Sequence, residues 1–170
     1  MRSIKKLGLL LVAVMFGSLL TFQVVKAAYP APPSLESEVF VDGSNGFGST
    51  GIYIRRYMNV DVNVGSDITY TDSATDGSSF TVNTNGLYSM SVTDYRGGGD
   101  GFGITVNASA SSTIPTTSAQ LCSISTNASQ VSSCSATAYL NSGDVVRPHW
   151  GIGNFAGSVA QSRFIIVKVH

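Results

Sequence analysis

Three groups of residues in this chain have the types and spacing for chemistry. The stretch DYRGGGDGFGITV, Asp94 to Val106, sets Asp94, Arg96 and Asp100 among five glycines. Glycine-rich turns cradle phosphate on backbone amides, and with aspartates they can hold calcium. His149 beside Trp150 joins a ring nitrogen to an indole, a combination suited to sugar faces. Cys122 and Cys134, the only two cysteines, can pair as a disulfide or contribute to a zinc site.

A phosphate loop needs a helix after its glycines to aim amides and dipole, but Phe102, Ile104 and Val106 alternate as in a strand. A repeat-type calcium turn needs stacked tandem copies, and DGSNGFG, Asp42 to Gly48, is a single distant echo. What remains is a flexible loop between a strand ending at Tyr95 and one opening at Phe102, expected to be the hinge of a β-hairpin. Asp94, Arg96 and Asp100 at its rim are candidate recognition residues. Calcium at Asp94 and Asp100 is the one residual metal reading, and no other cofactor is expected.

His149 and Trp150 are the candidate glycan contact. The competing reading follows from alternation, which puts Val146, Pro148 and Trp150 on one face and so makes the tryptophan core and the histidine surface. That reading is the preferred one. Zinc lacks ligands, since only His149 and His170 could join the cysteines. No nucleophile and base are evident, and paired aspartates such as Asp72 and Asp76 are ordinary turn formers, so an enzyme is not expected.

The elements that must position these residues follow an N-terminal leader. Arg2, Lys5 and Lys6 precede an apolar run from Leu7 to Leu20, and VKA before Ala28 forms a cleavage site, so residues 1–27 read as a secretory signal peptide. The rival, an uncleaved anchor over Leu7 to Val25, is weakened by Thr21 and Gln23. Cleavage removes Arg2, Lys5, Lys6 and Lys26 and no acid, leaving six basic against ten acidic residues, a net charge of −4. Such a balance offers no electrostatic footprint for nucleic acid. An exported chain is expected to be secreted or surface-displayed, not membrane-inserted, and to oxidise its two cysteines to a disulfide; two buried free thiols are the alternative.

Residues 28–38, AYPAPPSLESE, read as a proline-rich spacer, and residues 39–170 as one domain. In GIYIRRYMNVDVNV the even positions Ile52, Ile54, Met58, Val60, Val62 and Val64 are apolar, predicting a half-buried strand with those residues inward. Arg56 breaks that face and should lie near an edge or find a carboxylate. Tyr88, Met90 and Val92 alternate with serines after the turn signal Asn85-Gly86. Further strands are expected at Phe102–Ala108, Leu121–Ser125, Cys134–Leu140, Asp144–Trp150 and Arg163–Val169. No window has helical spacing with a cap. The fold class is all-β, a sandwich or jelly roll. Phe164 to Val167 are apolar on both faces, which predicts a strand inside a sheet, covered on each side, with a subunit interface as one cover. Asn107-Ala-Ser and Asn127-Ala-Ser fit the N-glycosylation sequon.

FTVNTNGLYSMSV (Phe80 to Val92), LNSGDVV (Leu140 to Val146) and the closing strand from Phe164 resemble, in that order, the pattern of the complement subcomponent-q globular heads. These belong to the tumour necrosis factor jelly-roll superfamily. The resemblance covers roughly residues 50 to 169. It departs at Ser89, where the family has a second aromatic, at Ile165, where it has a glycine, and in lacking a collagen stalk. It implies a jelly-roll β-sandwich of about ten antiparallel strands assembling as a homotrimer, with recognition in variable loops. Family members bind proteins, carbohydrates or charged surfaces, some with calcium, and none of their binding residues matches a motif here. The function expected is a secreted or surface-displayed homotrimeric module for recognition or adhesion, its ligand an unknown protein or glycan. The alternatives are a monomeric carbohydrate-binding sandwich and a coat or pilus-like subunit.

Overall fold

The computed structural model describes residues 37–96, 101–114, 119–125, 130–151 and 161–170. The expected signal peptide and most of the expected spacer lie outside them. The described residues all fall within the compact unit Leu35–His170.

Ten strands follow in order: β1 (Ser37–Phe47), β2 (Arg55–Val64), β3 (Ile68–Ser73), β4 (Gly77–Val82), β5 (Gly86–Arg96), β6 (Phe102–Val106), β7 (Gln120–Ile124), β8 (Gln130–Leu140), β9 (Val145–Trp150) and β10 (Arg163–Lys168). They form two five-stranded sheets, β2-β1-β10-β5-β8 and β3-β4-β9-β6-β7. Every strand pairing is antiparallel. This is a jelly-roll sandwich.

Period-two patterning builds the core. Val39, Val41, Tyr88, Met90, Val92, Phe164 and Ile166 point inward from the first sheet, and Ile68, Phe80, Val82, Phe102, Ile104, Val146 and Trp150 from the second. Phe80 stacks on Phe164 across the gap at 4.3 Å between ring centroids, an arrangement worth about 0.5–1.5 kcal/mol beyond burial alone. β10 is the middle strand of its sheet, as its two-sided apolar character predicts. Phe164 and Ile166 are buried in the core, while Ile165 and Val167 are half-buried on the outward face.

Several expectations need correction. β1 begins at Ser37, so Ser37 and Glu38 belong to the sheet and not to a spacer. In β2 the residues buried are Arg55 and Tyr57, while Met58, Val60 and Val64 are exposed, the reverse of the face read from the even positions. Register shifts between Phe40 and Val41 and between Ser44 and Phe47 interrupt the alternation against β1, and bulges of this kind re-aim side chains. Arg56 does find its carboxylate: it donates two hydrogen bonds to Oδ2 of Asp72, the shorter at 2.7 Å, on the edge strand of the first sheet. Finally, β5 and β6 lie in different sheets, so the glycine stretch connects the two layers and is not a hairpin hinge. The turn signal at Asn85-Gly86 likewise leads from β4 in one sheet into β5 in the other.

Cys122 of β7 and Cys134 of β8 form a disulfide with a Cα–Cα distance of 6.1 Å. Each stands on the outermost strand of its sheet, so the bond clasps the open side of the sandwich.

Candidate functional site

Arg55 and Asp94, from strands three places apart in one sheet, meet in the interior with both side chains shielded from solvent. Arg55 donates through Nε to Asp94 Oδ2 at 2.7 Å and through Nη1 to Ser44 Oγ at 2.9 Å. The other carboxylate oxygen of Asp94 accepts from Ser162 Oγ at 2.6 Å and from the Tyr95 amide at 2.8 Å. The rings of Phe47 and Trp150, set edge-on to each other, both stand against the guanidinium, at 4.4 and 4.8 Å, contacts favourable for a desolvated cation. Burial pushes the Asp94 carboxyl up, against the pull of Arg55 and of its hydrogen bonds.

Asp94 is therefore an interior group and not the rim of a recognition loop. Its oxygens are occupied and a guanidinium stands where a cation would sit, which removes it as a calcium ligand. Among the described residues no group of three or more metal-ligating side chains exists. Arg96 closes β5, and its side chain, together with Asp100 and Asn127, lies outside the described residues.

Trp150 is core, as alternation predicts, stacking on Phe102 at 4.8 Å and meeting Phe47 edge-on at 5.9 Å. His149 is not surface: it is fully buried. Its Nε2 bonds to the Ser112 carbonyl at 2.6 Å, so that nitrogen carries the proton, and Nδ1 then accepts from the Thr105 hydroxyl at 3.1 Å. Burial lowers the His149 pKa, and the charge of Arg147 adds to this, against the opposing bond to Ser112. The pair thus fails as a glycan contact, and the histidine instead ties the segment after β6 to β9. A lone sequence gives no signal for this, because both partners of the ring lie about forty residues away in the chain.

Two further surfaces are open to solvent. The outward face of the first sheet is divided. Its β2-β1-β10 half carries Val62, Phe40 and Ile165 in one cross-strand row and Val64, Glu38 and Val167 in the next. Its β5-β8 half carries hydroxyl pairs, with Ser135 donating to Ser91 at 2.9 Å and Thr93 bonded to Ser133 at 2.7 Å.

The second surface lies where β6 meets the β8–β9 turn. Asn107 adopts a left-handed backbone, φ 56°, a conformation that asparagine tolerates better than most residues. Its amide oxygen accepts from the Val145 N–H at 2.9 Å and its Nδ2 donates to Asp144 Oδ1 at 2.8 Å. Asp144 Oδ2 accepts from the Asn141 amide at 2.8 Å. The Gly-Asp pair legible in the sequence is thus a turn brace, and the sequon asparagine is its partner.

No protein-family model matches the chain, and no curated protein matches it. Solved structures do. Murine APRIL at pH 8.0 aligns with a TM-score of 0.55 at 15% identity, over 78% of this chain and 98% of that one. Pika GITRL aligns with a TM-score of 0.51 at 9% identity, over 79% and 95%, and rabbit GITRL with 0.52 at 9%, over 79% and 94%. At these identities the likeness is one of fold: the chain has the tumour necrosis factor-like jelly roll that its sequence resembles.

Proposed function

We propose that this tumour necrosis factor-like jelly roll is a secreted or surface-displayed, non-enzymatic binding module that works as a homotrimer in recognition or adhesion. One observation carries the reading. Phe40, Val62, Ile165 and Val167 are half-buried and Val64 is exposed on one outward sheet face, with Glu38 between Val64 and Val167, and apolar residues gathered on a face in this way mark a contact surface. The family resemblance supplies three as the copy number. The leader-like residues 1–27 and the disulfide, at home in an oxidising compartment, support export. A monomeric carbohydrate-binding sandwich is the second reading, favoured by the solvent-facing Asn107–Asp144 pair.

Sedimentation velocity of the exported protein at micromolar concentration tests the assembly. A single species of three times the chain mass is expected, and a clean monomer overturns it.

A further inference from the structure

The chain holds two Asn-Gly pairs, Asn45-Gly46 and Asn85-Gly86, and they stand in opposite surroundings. An asparagine before glycine can lose its side-chain amide without an enzyme, because glycine has no Cβ to shield its backbone nitrogen from the neighbouring carboxamide carbon. The reaction needs an open carboxamide, a backbone free to rotate and access for water. We propose that Asn45 is a site of spontaneous deamidation in the folded protein, and that the fold withholds Asn85 from the same chemistry.

Asn45 and Gly46 lie in an interruption of the β1–β2 ladder. Ser44 pairs with Tyr57 and Phe47 with Arg55, so two residues of β1 stand opposite Arg56 alone. A bulge of this kind leaves its extra residue outside the ladder. Both Asn45 and Gly46 are exposed, and the Asn45 carboxamide has no partner among the described residues. Gly46 has a left-handed φ of 77°. Beyond the adjoining residues no atom lies within 4 Å of where a Cβ would stand on it, so its nitrogen is open to approach. Its N–H donates to Ser44 Oγ at 3.3 Å, a longer reach than most such bonds.

Asn85-Gly86 is held instead. The Oδ1 of Asn85 accepts from the Ser142 amide at 2.7 Å. Gly86 pairs with Leu140 inside the sheet, and a Cβ on it would meet the His170 carbonyl oxygen at 2.5 Å. The next amide, that of Leu87, donates to the same oxygen at 2.7 Å. Turning the Asn85 carboxamide onto the Gly86 nitrogen breaks the first bond and disturbs the pairing around it.

The chemistry balances with water as the one co-reactant. The Gly46 nitrogen gives its proton to a solvent base and bonds to Cγ of Asn45. The Cγ–Nδ2 bond breaks, and ammonia leaves with a proton returned from solvent, closing a cyclic imide. Water then adds to either ring carbonyl and the ring C–N bond opens. The product is aspartate at position 45 or its β-linked isomer, whose main chain is longer by one carbon; nothing is oxidised or reduced. Either product places a negative charge beside Ser44 and Phe47, which contact the Arg55 guanidinium at 2.9 and 4.4 Å. Ageing at this exposed bulge therefore reaches the shell of the buried Arg55–Asp94 pair.

The test incubates the full chain at mildly alkaline pH in water enriched in heavy oxygen and maps its peptides by mass spectrometry. Exchange of the amide for a labelled carboxyl is expected at Asn45 about tenfold or more faster than at Asn85, the factor implied by the hydrogen bond and strand pairing that Asn85 must give up. In urea strong enough to unfold the chain the two rates should become similar. Asn45→Gln, at an exposed position, should keep the parent melting temperature and carry no label at position 45, because glutamine closes the larger ring far more slowly. Equal rates in the folded protein, or a faster reaction at Asn85, overturn the proposal. A preference for Asn45 that persists in urea also overturns it, by placing the cause in the local sequence. Aged parent protein is expected to melt below fresh protein and aged Asn45→Gln is not; labelled parent that melts unchanged overturns the link to the ion pair.

Discussion

Arg55 and Asp94 form an ion pair at 2.7 Å with neither side chain reaching solvent, although they lie 39 residues apart in the chain. Removing one partner leaves the other charge buried and uncompensated. Arg55→Met or Asp94→Asn is expected to cost about 3–5 kcal/mol in urea unfolding. The double substitution Arg55→Met with Asp94→Leu should recover most of that loss, because it removes both desolvated charges. A double variant as unstable as the two singles combined would contradict this account.

His149 links stability to pH. Its folded pKa is lowered below 6.5, chiefly by burial, so the unfolded chain binds the proton more readily than the folded one. Stability is then fully present above about pH 6.5 and is lost as pH falls through the folded value. The melting temperature is expected to drop between pH 7 and pH 5, and a His149→Gln variant should show a shallower slope over that interval. An unchanged slope in the variant would remove the histidine from the explanation.

The disulfide closes a loop with a sequence separation of 12 between Cys122 and Cys134. Loop-closure entropy of this order is worth about 3 kcal/mol. Cys122→Ser with Cys134→Ser should lower the melting temperature by about 10 °C and expose β7 and β8 first in hydrogen exchange. Uniform loss of protection across both sheets would argue against a local clasp.

The apolar half of the outward face makes a separate prediction. Ile165 is half-buried there and pairs across strands with Phe40 and Ser91. Ile165→Asp should shift the sedimentation profile from trimer to monomer while leaving the far-ultraviolet circular dichroism of a β-sandwich intact. Trimers that survive this change would move the subunit contact elsewhere.

Much of this fold can be read from local pattern. Tyr88, Met90 and Val92 alternate with serines without interruption, and they do line the core. Phe164 and Ile166 show the same legibility in β10. The failures have a common physical origin. A bulge reverses which face is buried, and β2 sits against two of them, so counting by twos gave Met58 and Val60 an interior they do not have. Turn signals at Asn85-Gly86 and in the glycine stretch mark where the chain bends, but which sheet receives the next strand is decided by long-range packing. The expected site residues failed for a related reason. The burial of Asp94 depends on Arg55, and that of His149 on Thr105 and Ser112, partners that nothing in the neighbouring sequence announces. The Asn107–Asp144 pair was half visible, since the Gly-Asp turn stood out but its partner across the fold did not.

The central place of β10 in its sheet bears on the order in which the molecule can be made. Until that strand emerges, β2-β1 and β5-β8 are two separate pairs with no neighbour to join them. A nascent chain lacking it holds core residues such as Phe80 without their covering ring, Phe164. Topologies dominated by distant pairings fold slowly, because chain entropy is lost before the contacts that offset it are made. Completion of the sandwich therefore waits for β10, the last of the ten strands in chain order and the one that joins the two pairs.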